Sequence, residues 1–177
     1  MNQKLKIRAA QPADAPRLAE IYAPYVRETV VTFEETAPDA AEMVRRVREV
    51  ERTFPWLVCE SGGQVLGYAY AHQLQERAAF QWSAEVSIYL ARNERGHGAG
   101  SALYHALEAR LYQMGVAQLY AQISVPNPES MGFHHRCGYQ DLCVYPHVGY
   151  KLGRWCDLAV LTKQLQLPEH PQPRKNP

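Results

Sequence analysis

Val86 to Met114 reads VSIYLARNERGHGAGSALYHALEARLYQM, a strand, a short glycine-rich turn and an amphipathic helix in succession. Val86, Ile88 and Leu90 alternate with Glu85, Ser87 and Tyr89, the period-two pattern of a half-buried strand. Leu103, Leu107, Leu111 and Met114 recur at three- and four-residue spacing, one face of a helix, and Gly115 follows in the usual stop position. Between them, glycines at 96, 98 and 100 let bare backbone approach another group closely. The helix that starts there turns its unpaired N–H groups and positive dipole end back toward the turn, which suits an anion.

Two nucleotide readings of this loop fail on its residues. A P-loop needs Gly-Lys-Ser/Thr at its end, whereas Ala99 follows Gly98 and Ser101 follows Gly100. The dinucleotide pattern G-x-G-x-x-G breaks at Ser101, and the loop lies past the chain midpoint rather than in an opening βαβ unit. What remains is Arg95-x-x-Gly98-x-Gly100. This resembles the acyl-CoA loop of the GCN5-related N-acetyltransferases (GNATs), whose backbone amides wrap the pyrophosphate of coenzyme A. The competing reading is a plain strand-to-helix connector.

Composition sets bounds around that resemblance. A chain of 177 residues is most simply one domain, long enough to bury about 70% of its unfolded surface. With 19 basic and 18 acidic residues the net charge is +1, so no basic field invites nucleic acid. No apolar run is long enough for a membrane span, and the N-terminus lacks the apolar core of a signal peptide. Cys59, Cys137, Cys143 and Cys156 form no C-x-x-C pair and suit reduced thiols in a cytoplasmic protein.

Along the chain, Leu5 to Ala9 reads as a first strand, and Asp14 as the N-cap of a helix running to about Val26. Pro38-Asp39 opens a second helix. Trp56 to Cys59 and Val65 to Ala71 read as a hairpin around Ser61-Gly62-Gly63, and Ser83 to Leu90 as the central strand. Leu119 to Val125 is the next strand, and Asn127-Pro128 caps a short helix to about Cys137. Tyr139 to Tyr145 and Trp155 to Leu165 close the sheet. Residues 168–177, with four prolines, read as a disordered tail after a domain spanning 1–167.

This β-α-α-β-β-β-α-β-α-β-β order is similar to the GNAT fold, so the resemblance covers roughly residues 5 to 165. It implies an α/β (α+β) architecture: a mixed sheet of about six to seven strands, about four flanking helices, and a splay at the acyl-CoA site. Within the superfamily the chain most resembles the phosphinothricin and methionine-sulfoximine N-acetyltransferase group. The stretches that carry this are Ile21-Tyr22 with Thr32-Phe33-Glu34, Pro55 to Val58, Gly67 to Ala71, Ala84 to Tyr89, and Val148-Gly149-Tyr150-Lys151 with Gly153 to Asp157.

The resemblance assigns roles residue by residue. It implies acetyl-CoA as co-substrate, held by Arg95, Gly96, His97, Gly98, Ala99, Gly100 and Ser101, by the strand Ile88-Tyr89-Leu90, and by Asn127 and Ser130 at the head of the following helix. A backbone N–H of that strand would bind the oxyanion. Moving an acetyl group to an amine also requires a base for the ammonium and an acid for the departing thiolate. Glu85 takes the place of the proposed base, against the reading of a strand-end glutamate in an ion pair. His134 stands where many members have a tyrosine acid, as acid or proton relay, against the reading of an ordinary helical histidine. His135 points about 100° away from it. His134 and Cys137 at i, i+3 have no second pair, so no metal site is expected.

Acceptor recognition departs from the group's pattern. Its aromatic-Arg-x-Arg-x-Ala-aromatic segment becomes Leu74-Gln75-Glu76-Arg77-Ala78-Ala79-Phe80 here. Arg77 is retained as a carboxylate partner, while Gln75 loses a charge and a fork geometry. Phe33, Glu34 and Phe80 complete the expected acceptor pocket. The group also resembles two-fold dimers, and the segment carrying Tyr145, Tyr150 and Trp155 would supply the interface. The expectation is a cytoplasmic, homodimeric N-acetyltransferase acting on a small amine, an amino acid or toxic analogue. The alternatives are a non-catalytic CoA-binding module and a protein or peptide acetyltransferase.

Overall fold

The computed structural model describes residues 4–94 and 97–177. Among them are seven strands: β1 (Lys6–Ala9), β2 (Trp56–Ser61), β3 (Gln64–Gln73), β4 (Ser83–Leu90), β5 (Gln118–Val125), β6 (Gln140–Lys151) and β7 (Arg154–Gln164). Four helices accompany them: α1 (Ala15–Glu28), α2 (Ala40–Val50), α3 (Ala99–Gln113) and α4 (Pro128–Arg136). The strands form one sheet in the order β1-β2-β3-β4-β5-β7-β6. Only the central β4–β5 pair is parallel.

Strand alternation divides the core in two. Leu57, Ala69, Val86 and Ile123 face α3, which presents fully buried Leu103, Leu107 and Leu111, the stripe expected from the helical spacing. Each such leucine contributes on the order of 1.5–3 kcal/mol by leaving water. Trp56, Val58, Tyr68 and Tyr89 face the other way, against α1 and α2. Glu85 shares this second face.

The feature that positions the site is a failure of pairing. β4 pairs with β3 along its whole length, from Gly67↔Leu90 to Gln73↔Ala84. Against β5 it pairs only from Ser83↔Gln118 to Glu85↔Tyr120. Beyond Glu85 the two parallel strands diverge, and β5 stays with β7 to Val125↔Asp157. A wedge therefore opens in mid-sheet with unpaired backbone along the β4 edge, and polar backbone left unpaired asks for a partner. Gly67 keeps β3 closed on the far side, where a Cβ would stand 2.4 Å from Leu90 Cδ2 and 2.7 Å from the Tyr89 carbonyl oxygen.

Asp14, β6 and the C-terminal segment each make contacts that local sequence does not specify. Asp14 precedes α1, but its carboxylate does not cap that helix; it accepts two bonds from Arg8, at 2.7 and 2.8 Å, and one from the Gln11 amide. β6 does not stop at Tyr145. It runs on to Lys151 through an irregularity between Tyr145 and Gly149, where the His147 amide donates to Asp157 Oδ1 at 2.7 Å. Pro146 is tolerated because β6 is the sheet edge, where a missing N–H is harmless. Residues 168–177 form no helix or strand, yet the segment read as a disordered tail is tied to the domain. Trp82 Nε1 donates to the Gln172 carbonyl at 2.8 Å, the Lys175 amide to Met114 at 2.9 Å, and the Arg174 guanidinium lies 4.1 Å from the Phe54 ring centroid.

Candidate active site

The wedge between β4 and β5 is lined by Val86, Ser87, Ile88 and Tyr89 on one side and Gln122, Ile123 and Ser124 on the other. Asn127, Ser130 and His134 of α4, Tyr104 of α3 and Val31 complete it. The fold thus brings Ile88, Tyr89, Asn127, Ser130 and His134 together around one cleft, with Glu85 at the point where the strands part.

Glu85 is mostly buried, with 19% of its side chain exposed. Its Oε2 accepts a 2.6 Å hydrogen bond from Gln122 Nε2, and its Oε1 stands 3.7 Å from His72 Nε2. Burial raises its pKa above the usual carboxylate value, opposed by His72 and by the Gln122 bond. A carboxylate made more basic in this way is suited to take a proton from an ammonium group. His72 and Gln122 escaped the sequence reading. Gln122 and Ser124 continue the polar alternation that Gln118 begins in β5, a visible signal, but only strand register shows that they face Glu85 and the cleft.

His134 is 4% exposed and fully bonded. Its Nδ1 lies 2.8 Å from the Ser130 carbonyl, which can only accept, so Nδ1 carries the hydrogen. Nε2 then accepts from the Tyr104 hydroxyl at 2.8 Å. Burial pushes the imidazole pKa below its ordinary value and so favours the neutral ring. The neutral ring accepts at Nε2, and the proton-bearing atom at this end of the cleft is the Tyr104 hydroxyl.

The head of α3 fits a phosphate-bearing ligand. Gly98 sits in the left-handed region at φ +83° as N-cap, and as a glycine it offers no side chain to cap the first turn. Ala99 and Gly100 are buried there, and a Cβ on Gly100 would approach Phe133 to 3.2 Å. His97 and Ser101 are exposed beside them, while Arg95 and Gly96 lie outside the described residues. Within the cleft, the Ser124 hydroxyl is buried without a hydrogen-bond partner among the described residues, available to the amide-rich arm of an acyl-CoA. Leu90 does not line the cleft; its carbonyl accepts from Tyr25 at 2.6 Å, and its side chain packs at the Gly67 and Gly100 positions. Asn127 accepts from the Ser130 amide, which makes it the N-cap of α4 as well as a cleft residue.

The acceptor-side residues divide. Phe33 lies over Gly149, where a Cβ would meet its ring at 2.7 Å, so the absent side chain seats the aromatic against β6. Buried Lys151 donates to the Thr32 carbonyl at 2.7 Å and pins the same loop. Glu34 is engaged otherwise than expected: Arg46 grips its carboxylate with bonds of 2.7 and 3.0 Å, and Tyr22 donates to it at 3.0 Å. Its charge is therefore committed within the chain. Gln75, Arg77 and Phe80 do not join the cleft lining; they are exposed on the loop between β3 and β4, which leaves the sheet at the Glu85 end. Among the described residues, no group of three or more His, Cys, Asp or Glu stands close enough to hold a metal ion.

A family model described as "Acetyltransferase (GNAT) domain" matches residues 7–160. A phosphinothricin N-acetyltransferase of Alcaligenes faecalis is 37% identical over 161 residues, 90% of this chain and 82% of that protein. An L-methionine sulfoximine/L-methionine sulfone acetyltransferase of Pseudomonas aeruginosa is 34% identical over 90% of this chain and 94% of its own. Among solved structures, a GNAT superfamily phosphinothricin acetyltransferase from Sinorhizobium meliloti in complex with AcCoA superimposes with a TM-score of 0.89. It is 34% identical, over 96% of this chain and 92% of that one.

Proposed function

This chain belongs to the GNAT acetyltransferase family and is an N-acetyltransferase that uses acetyl-CoA, and from that premise we propose that it acetylates the amine of a free amino acid or amino-acid analogue. The observation that carries this reading is Glu85, a buried carboxylate with raised pKa at the parting of β4 and β5. The relatives named for phosphinothricin and methionine sulfoximine or sulfone support the acceptor class.

Each step falls to a group in the cleft. Glu85 removes a proton from the acceptor ammonium, freeing the nitrogen lone pair to attack the thioester carbonyl. The unpaired β4 edge, toward which Ile88 turns its backbone N–H, supplies a hydrogen bond for the developing oxyanion. The Tyr104 hydroxyl turns its single hydrogen from His134 Nε2 toward the departing sulfur, and the second proton that the nitrogen sheds as the amide forms ends on the thiol. The first turn of α3, with Gly98, Ala99 and Gly100, holds the diphosphate through main-chain amides.

The test is a panel of amines offered with acetyl-CoA, following release of free thiol. Turnover on phosphinothricin, methionine sulfoximine, methionine sulfone or ordinary amino acids is expected, with little on peptides or polyamines. Peptide turnover alone would overturn the acceptor class, and binding of CoA without turnover would support a sensing module. Replacing Gln75 by Arg is expected to lower KM for carboxylate-bearing amines roughly tenfold, the worth of about one charge-assisted hydrogen bond. An unchanged KM would show that the β3–β4 loop does not read the carboxylate.

We also place the enzyme in the cytoplasm as a homodimer. All four cysteines are free thiols, in keeping with a reducing compartment. Val144, Tyr145, Val148, Tyr150, Leu152 and Trp155 are each about half exposed or more along edge strand β6 and its turn into β7. An apolar strip of this kind on a sheet edge is a surface for a second chain. Sedimentation at twice the chain mass, shifted to the monomer by Trp155→Glu, would support the dimer.

A further inference from the structure

The two oxygens of Glu85 have different surroundings. Oε2 is occupied by Gln122 of β5 at 2.6 Å. Oε1 faces His72 Nε2 at 3.7 Å, across the register pair His72↔Glu85. The other ring nitrogen, Nδ1, lies 3.1 Å from the Gln73 carbonyl oxygen, which can only accept. The neutral ring therefore carries its hydrogen on Nδ1 and turns the Nε2 lone pair toward Glu85. The His72 side chain is 43% exposed against 19% for Glu85, so the imidazole bridges a buried carboxylate and bulk water.

From this arrangement we propose that His72 is the relay through which Glu85 discharges the proton it takes from the acceptor amine. The proposal rests on the assignment of Glu85 as the base. In the first transfer an ammonium N–H bond breaks and an O–H bond forms at Oε1. In the second that O–H breaks and an N–H forms at His72 Nε2, giving an imidazolium whose Nδ1–H stays on the Gln73 carbonyl. The Nε2 proton then passes to water or buffer, and carboxylate and neutral ring are restored. A small side-chain rotation, or one water, closes the 3.7 Å gap to hydrogen-bond reach. His72 acts through Glu85, as a positioning and relay group.

The groups facing the pair are few. From β3 comes Tyr70, whose ring centroid is 6.3 Å from that of His72 and whose phenol is raised mainly by burial, with a contribution from Glu85. From β5 come Gln122, which does not titrate, and Tyr120, opposite Glu85 in the register. When the ring holds the relayed proton, its charge favours ionised Glu85. Without it the carboxyl titrates at higher pH.

The experiment compares wild type, His72→Leu, His72→Asn and Glu85→Gln in kcat and KM for the best amine across pH, with and without added imidazole. Both His72 variants are expected to lose about tenfold in kcat with little change in KM. Their acidic limb should move to higher pH, and imidazole should restore kcat in a saturable way while leaving the wild type unaffected. A wild-type kcat in both variants, or a loss that imidazole leaves untouched, would overturn the relay. Full activity in Glu85→Gln would instead remove the base assignment beneath it.

Discussion

Glu85→Gln is expected to lower kcat by about 10²- to 10⁴-fold while leaving the dissociation constant for CoA within about twofold, since a positioned base contributes a factor of that order. The substituted amide preserves volume and can still bond to Gln122, so the loss isolates proton removal. The wild-type kcat/KM should rise with pH through an acidic limb above the ordinary carboxylate range of about 4.3, because burial raises the Glu85 pKa. The sign for stability is opposite. A carboxyl whose folded pKa is raised contributes stability at low pH and loses it as pH rises through that value. The variant should therefore melt no lower than wild type at pH 8. A variant with reduced Tm and reduced CoA affinity would show instead that Glu85 is structural.

The second large effect concerns stability away from the chemistry. Lys163 of β7 donates to Glu108 Oε2 of α3 at 2.7 Å and to the Cys137 carbonyl, also at 2.7 Å, where α4 ends. The Glu108 side chain is only 10% exposed, and the Tyr139 phenol lies beside it. Lys163→Met leaves that carboxylate buried without its cation, which costs roughly 3 kcal/mol, the lower end for a broken buried pair because Lys163 is partly solvated. For a domain of this size that lowers Tm by about 6–12 °C. Removing both charges, as Lys163→Met with Glu108→Leu, should recover most of the loss. A thermal scan of the single variant within about 2 °C of wild type would contradict the assignment.

These cases show what local sequence can and cannot specify. The turn at Gly98 and Gly100, the leucine stripe of α3 and the N-cap at Asn127 are written within a few residues, through backbone freedom, helical period and a side-chain acceptor. All of them stand in the structure. The resemblance points to Glu85, but the surroundings of that carboxylate are not written near it in the sequence. His72 and Gln122 reach it from strands 13 and 37 positions away, through a register that no local pattern encodes. The surroundings of Glu34 are hidden for the same reason, since its partner Arg46 lies twelve residues on in α2. Pro146 reads as a strand end until β6 is known to be an edge. The proline-rich tail reads as disordered because its anchors, Trp82, Met114 and Phe54, belong to three other segments.

The proposed chemistry depends on the opening where β4 and β5 diverge beyond Glu85. The most direct measurement is a crystal structure of the protein grown with acetyl-CoA. The diphosphate should lie on the first turn of α3 at Gly98 to Gly100, and the thioester should lie in the cleft between Ile88 and Ser124, on the side where Glu85 can reach an incoming amine. Acetyl-CoA bound elsewhere with that cleft still closed to it, or no bound acetyl-CoA at saturating concentration, would contradict the account.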